Sequence, residues 1–326
     1  MYGIFVKRQV DSLRAHGIRC DVVYVRGYMS AVAYLVAATR FLVATVAWRG
    51  RYRLVHVHAG ETASVARFFV GPPMIVSYCG DDILGYAKID GTIPFYSRLR
   101  RFAIRRQARL FTATITKSRE MAQALPIKVQ ATNHVVPNGV DESLFCPMPK
   151  AEARERLGWS STERIVLFAA TRPQEVRKRF DLAQAAVQHA EAEVGPIRLA
   201  VAENQPPTSI PIMMNAADCL LLTSMIEGSP NVVKEAIMCN LPVVTTRVGD
   251  IREMLADITP SAICRHDSSE LGKALVDVLK VGIRSNGRQQ RADLAESVIA
   301  RRILEIYASM GFAPDTQAPT PALMMS

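Results

Sequence analysis

Apolar positions along this chain fall into two successive series in which short apolar runs alternate with amphipathic segments. In the first, FVKRQVDSLRAHG has helical spacing and ends at Gly17, and RCDVVYVRG predicts a strand. A long apolar stretch, SAVAYLVAATRFLVATVAW (30–48), follows, and RLVHVHAG then reads as a strand leading into a helical ETASVARFFV. PMIVSYCGDD predicts a strand that runs into a Gly-Asp-Asp turn. A basic helix, the strand FTATITKS, the helix REMAQAL and a short strand in NHVVPNGVD complete this half.

A Pro-bounded connector with a short helix, FCPMPKAEARERLGW, separates the halves. RIVLFAAT, IRLAVA, DCLLLTS and LPVVTTRVGD read as strands of the second series. The helices RFDLAQAAVQHAEAEVG, IPIMMNAA and the segment after EGSP lie between them, and SSELGKALVDVLKVG and ESVIARRILEIYASM close the series. Such alternation predicts α/β architecture, with parallel sheets covered by helices on both faces. Two halves imply two sheets with a cleft between them, with ligands at the carboxyl ends of strands. The expected domains are 1–147 and 148–295, followed by a helix at 296–310. The Pro-rich, aperiodic segment 311–326 is expected to be a disordered tail.

A hydrophobic content of 49% with 21% charged residues is globular composition. The six cysteines, at 20, 79, 146, 219, 239 and 264, show neither a paired spacing nor metal-like clustering with histidine. Reduced thiols and a cytoplasmic setting are the expectation. The net charge of +10 is unevenly placed, for residues 1–150 hold 21 Lys and Arg against 9 Asp and Glu. Arginines crowd YSRLRRFAIRRQARLF (96–111). A solvated helix face explains such a run, as does contact with an anionic membrane surface or an anionic substrate; nucleic acid is the weaker reading. The 30–48 stretch carries Arg40 near its middle, and a spanning helix needs about 20 apolar residues. A packed or surface-lying amphipathic helix is therefore expected there.

The chemistry concentrates in EGSPNVVKEAIMCNLPVV (227–244). Glu227 and Glu235 stand eight positions apart, separated by Gly228, Ser229 and Pro230. That triplet predicts a break, a serine N-cap and a proline in the first helical turn. Glu227 would then lie in a loop and Glu235 in the second turn, on either side of a helix start suited to phosphate. Arg172 and Lys178, in the loop after RIVLFAAT, are cations at a strand's carboxyl end and suit a diphosphate. A nucleotide sugar offers a diphosphate, a ribose diol and sugar hydroxyls, and one carboxylate can accept from both hydroxyls of a diol. Neither G-x-G-x-x-G nor G-x-x-x-x-G-K-[ST] occurs.

NAADCLLLTSMIEGSPNVVKEAIMCNLPVVTTRVGD resembles the donor-site region of glycosyltransferase family 4, whose Glu-x7-Glu motif Glu227 and Glu235 match. VVPNGVDESLF (135–145) is similar to the family's interdomain segment, and Arg172 and Lys178 match its diphosphate-binding pair. GIFVKRQVDSLRAHG and CGDDILG are similar to segments of members that build capsular polysaccharide, exopolysaccharide and teichuronic acid. The resemblance implies the B-type fold of two Rossmann-like domains facing a cleft, with acceptor on the first and donor on the second and the helix 296–310 crossing back to the first. It implies transfer with retention and no metal or other cofactor. It implies donor binding by Arg172, Lys178, Glu227, Gly228, Ser229, Pro230, Asn231, Val232 and Glu235, with Glu227, Arg172 and Lys178 in catalysis. Glu235 would hold the ribose and Glu227 the transferred sugar. On the acceptor side the candidates are His58, Gly80, Asp81 and Asp82.

Some positions depart from the family pattern. Cys79-Gly80 stands where many members have His-Gly, and Arg179 follows Lys178 in place of glycine. Members begin with a hydrophobic strand and a Gly-rich loop, whereas Met1 opens directly into the end of that loop. The first domain is thus expected to lack its first strand, through a start upstream of this Met1 or through damage to the domain. The expected partners are a UDP- or GDP-linked sugar, a lipid-linked saccharide acceptor and an anionic membrane surface. A nucleotide-sugar epimerase or phosphorylase of the same fold, or an inactive relative, is the alternative.

Overall fold

Two parallel sheets form where the two alternating series run. The computed structural model describes residues 3–25, 31–85, 92, 94–170, 172–312 and 322–325. Its strands are β1 (Cys20–Val23), β2 (Leu54–His58), β3 (Met74–Ser77), β4 (Ala113–Thr116), β5 (Asn133–Val135), β6 (Arg164–Phe168), β7 (Ile197–Val201), β8 (Cys219–Leu222), β9 (Val243–Thr246), β10 (Ala262–Cys264) and β11 (Ala322–Met325). The chain divides into two compact units, residues 1–139 with 296–326, and residues 140–295.

The break at 139/140 falls earlier than the boundary expected after 147. Residues 140–147 are held by the second unit: the Val140 amide donates to Leu294 O at 2.9 Å, and the Arg288 guanidinium to the carbonyls of Phe145 (2.8 Å) and Glu142 (3.0 Å).

In the first unit the strand order is β1-β11-β2-β3-β4-β5. The expectation of a disordered tail over 311–326 fails at residues 322–325, which form β11; residues 313–321 lie outside the described set. β11 runs parallel to both neighbours, with Ala322 opposite Cys20 and Leu54, and Met325 opposite Val23 and Val57. β11 thus fills the place between β1 and β2 and pairs both. The physical reason is twofold. An unfilled place between buried strands leaves two rows of backbone groups without partners. Successive strand residues also point to opposite faces. Met324 enters the cluster of Val10, Leu13, Leu54 and Tyr307, while Met325 enters that of Val55, Val57 and Tyr78.

The helix Glu296–Ser309 belongs to this unit and buries Ile299, Ile303, Ile306 and Tyr307. The Tyr307 hydroxyl lies 2.6 Å from Nδ1 of the fully buried His56, whose Nε2 is 2.8 Å from Ser77 Oγ. The apolar stretch after residue 30 forms the helix Ala31–Ala47. Phe41 and Ala44 pack inward, and Val32, Leu35, Val43 and Val46 remain exposed. No helix among the described residues is long and apolar enough to cross a membrane.

In the second unit the order is β10-β9-β8-β6-β7, all parallel. β10, three residues at the sheet's edge, had no counterpart in the sequence pattern. The helix Ser268–Val281 begins where the Asp267 side chain accepts from the Glu270 amide at 2.8 Å, and it packs against the helix Phe180–Val194.

Candidate functional site

The loops that leave β6 and β8 are joined by the backbone. After β6 the chain makes a tight turn at Val176–Lys178 and reaches Arg179, which adopts φ +51°. Thr223, at the exit of β8, donates its hydroxyl to the carbonyls of Lys178 and Arg179, both at 2.8 Å. The Met225 amide donates to Arg177 O at 2.8 Å. This zipper sets Lys178 beside Glu227, and Nζ donates to Oε1 at 2.5 Å, with both side chains largely buried.

Arg172 lies apart from that pair. Its side chain is 78% exposed and its nearest ionic contact is Glu175 at 3.7 Å. Glu235 is half-buried on the second turn of the helix Asn231–Met238. The helix starts one residue later than expected, with Pro230 rather than Ser229 at the N-cap and no side-chain cap. Proline cannot cap through a side chain, and the Ser229 hydroxyl donates elsewhere, to Asp250 Oδ2 at 2.8 Å. Among the described residues no side-chain hydrogen bond caps this helix start, where the first-turn amides lie.

The loop before this helix is turned by Gly249. At φ +49°, a Cβ on Gly249 would meet Gly228 O at 2.6 Å and Glu227 O at 2.7 Å. Two successive carbonyls therefore face the 249 backbone, and in trans peptides the following N–H groups point the other way. Those are the amides of Gly228 and Ser229, which have no backbone acceptor among the described residues. Outward amides, an open helix start and Lys178 make a surface for anionic oxygens. Glu227 beside it is an acceptor for hydroxyls.

In the first unit the loops after β2 and β3 meet at Asp82. Its carboxylate accepts from the amides of Gly60 (3.0 Å), Gly80 (2.9 Å), Ile83 (3.0 Å) and Cys79 (3.1 Å). Both oxygens are committed, so Asp82 staples two loops rather than facing a ligand. Burial pushes its carboxyl up, against those four amides. Gly80 adopts φ +126° at the head of a short helix, and Asp81 is exposed. His58, at the end of β2, is 2% exposed and stacks on His56 at 4.6 Å. Neither of its ring nitrogens has a hydrogen-bond partner. Burial, with His56 and Lys117 nearby, holds it neutral.

Two residues that sequence reasoning passed over, Lys117 and Lys234, lie at these sites. Lys117 at the end of β4 is 5% exposed, and burial lowers its ammonium's pKa. Lys234 is fully buried under the loop at 228–231, beside Asp250. Lys234 could have been found: it precedes Ile237 and Met238 by three and four positions, on the apolar face of its helix. Among the described residues, no group of three or more His, Cys, Asp or Glu side chains is placed to hold a metal ion.

Comparison with known proteins agrees with this division. Residues 6–139 match the model of the glycosyl transferase 4-like domain, and residues 177–281 that of glycosyl transferases group 1. D-inositol 3-phosphate glycosyltransferase of Segniliparus rotundus is 26% identical over 261 residues, 69% of this chain and 57% of that protein. The chain thus spans little more than half the length of such relatives. Sucrose-phosphate synthase from Thermosynechococcus elongatus superposes with a TM-score of 0.75 at 16% identity, over 94% of this chain and 93% of that one. Anabaena HepE, in complex with UDP and glucose, gives 0.70 at 17% identity over 95% and 97%. These two likenesses carry the fold of two parallel-sheet α/β domains, and the two family models together take in well over half of the sequence. The chain belongs to the glycosyltransferase family whose members join a 4-like domain to a group 1 domain.

Proposed function

We propose that the protein transfers a sugar, with retention and without a metal, from a UDP- or GDP-linked donor to a lipid-linked saccharide acceptor in cell-surface polysaccharide synthesis. The observation that carries this reading is the Lys178–Glu227 contact beside the outward amides of Gly228 and Ser229 and the open helix at Asn231. The donor diphosphate rests on those amides and on Lys178. Glu227 accepts from hydroxyls of the transferred sugar, and Glu235 from the ribose diol. As the anomeric C–O bond breaks, negative charge grows on the departing diphosphate, and Lys178 and the fixed amides stabilise it there. Arg172, exposed to solvent, adds a second cation. The nucleotide that HepE holds supports UDP as the first donor to try.

The acceptor's lipid linkage rests on the surface of the first unit. On the helix Phe95–Gln107, Phe95, Leu99 and Phe102 are 81%, 60% and 61% exposed. Arg98 and Arg106 stand among them, and their side chains have no ion-pair partner among the described residues. Spacings of three, four and seven put these side chains on one face, aromatic and cationic together, as suits an anionic lipid interface.

Calorimetry with UDP and GDP, followed by turnover with UDP- and GDP-sugars, tests the reading. Binding and transfer by the wild type, with binding lost in Lys178→Ala, are expected. Formation of an epimer from donor alone would move the protein to a different reaction, and absence of nucleotide binding would overturn the reading.

A further inference from the structure

A fully buried lysine lies beneath the proposed donor site, where the helix pattern calls for an apolar residue. Lys234 is on the inner face of the helix Asn231–Met238, beside Val233, Ala236, Ile237 and Met238. Burying an ammonium costs far more than burying a leucine or methionine of similar size, so its retention calls for compensating contacts. Its contacts run to the loop. Nζ donates to Ser229 O at 3.3 Å and to Asn231 Oδ1 at 3.1 Å.

The loop's other support carries the opposite charge. Asp250 follows Gly249, the residue on which the carbonyls of Glu227 and Gly228 rest. It accepts the Ser229 hydroxyl at 2.8 Å through Oδ2, while Oδ1 is buried without a partner. Ser229 is therefore gripped at two atoms, its carbonyl by a buried cation and its hydroxyl by a carboxylate.

We propose that Lys234 and Asp250 are the positioning pair of the diphosphate site: together they fix Ser229 so that the amides of Gly228 and Ser229 stay turned toward the ligand. The inference rests on the donor-site reading above. Lys234 has a second effect, since its charge lies under the place where the anion sits and is screened little by water. Asp250 offsets part of that charge when the site is empty. Burial raises the Asp250 carboxyl's pKa, and the Lys234 charge and the Ser229 hydroxyl act against that rise.

The test measures UDP affinity by calorimetry and the thermal midpoint for wild type, Lys234→Met, Asp250→Asn and the double variant. Lys234→Met should weaken UDP about tenfold or more, the value of a lost charge-assisted contact. Asp250→Asn, which keeps the shape and an acceptor for Ser229, should cost less. The double variant should recover thermal stability without recovering affinity, because it removes a mismatched buried charge and leaves the loop loose. A lysine with a purely structural role would lower the midpoint and leave the affinity of the folded protein unchanged. If Lys234→Met is folded and binds UDP within a factor of two of wild type, the inference is overturned. If it does not fold, Asp250→Asn decides by the same affinity criterion. Failure of the wild type to bind either UDP or GDP overturns the donor-site reading itself, whereas equal binding by wild type and variants overturns the positioning pair alone.

Discussion

Lys178 and Glu227 lie 49 positions apart in the chain, yet the ammonium of one donates to the carboxylate of the other at 2.5 Å. The contact exists because Thr223 and Met225 bind the turn that carries Lys178. An ion pair of this kind holds two groups ready for a ligand that will take both. Lys178→Ala should weaken UDP by about tenfold, because a charge-assisted contact to phosphate is lost. Glu227→Gln should leave UDP affinity within a factor of about two, since this carboxylate is placed for the sugar, and should reduce transfer by about a hundredfold. Calorimetry and initial rates with UDP-sugars check both.

Gly249→Ala should separate backbone geometry from side-chain chemistry. The added Cβ meets two carbonyl oxygens, and φ +49° disfavours alanine. A stability loss of about 2 kcal/mol is expected, with UDP binding impaired in the folded protein. Urea titration and calorimetry on the same sample check it; unchanged values in both would show that the loops at 228 and 249 do not touch.

Stability should fall with acid below neutrality because of His56. Burial lowers its pKa from 6.5 to about 3, so the fold keeps it neutral while the unfolded chain takes up a proton. Its contribution is complete above pH 6.5 and is lost as pH falls through that value toward 3. Between pH 7 and pH 5 this amounts to about 2 kcal/mol, and His58, lowered in the same direction, adds to it. Urea midpoints at the two pH values are the measurement, and equal midpoints would show that the folded protein protonates freely there.

The aromatic and cationic face of the helix Phe95–Gln107 should bind anionic vesicles in a salt-sensitive manner. Arg98→Glu and Arg106→Glu should each lower partitioning by about fivefold or more, and Phe95→Ser with Phe102→Ser should lower it further. UDP affinity should be unchanged in all of them. Sedimentation with phosphatidylserine-containing and neutral vesicles checks this, and wild type that ignores both would remove the membrane from the account.

Met324 and Met325 are fully buried on opposite faces of the first sheet. Replacing either with alanine should cost about 2 kcal/mol or more. Denaturant titration that shows no change for either variant would mean that β11 does not occupy its place between β1 and β2.

Much of this structure can be read from local pattern. The alternation of apolar runs gives nine of the eleven described strands in outline, and the spacing of Glu227 and Glu235 marks the helix start between them. What escaped depends on contacts distant in sequence. β10 is three residues long and only partly buried, so it leaves no periodic signal. β11 lies in a segment whose prolines outweigh four apolar residues, and its partners are 265 or more positions away. Ser229 looked like an N-cap because serine before proline usually is one; its hydroxyl was drawn off by Asp250, which no local rule could supply. Asp82 read as a ligand-facing carboxylate, yet four amides from two loops had already claimed it. Lys234 was overlooked for the opposite reason: a lysine beside a glutamate on a helix is ordinarily solvated, although its spacing to Ile237 and Met238 already put it on the buried face.

The first unit takes its strands β1 to β5 from residues before 140, and its last helix and β11, the strand between β1 and β2, from residues after 295. The second unit is one uninterrupted stretch between them. On the ribosome, the stretch in the middle can therefore finish folding while the flanking one is still incomplete, with the edges of β1 and β2 open until Met325 has emerged. Synthesis would thus deliver the second unit folded before the first unit is whole. The open edges in that interval are also where chaperones and aggregation would compete for the chain.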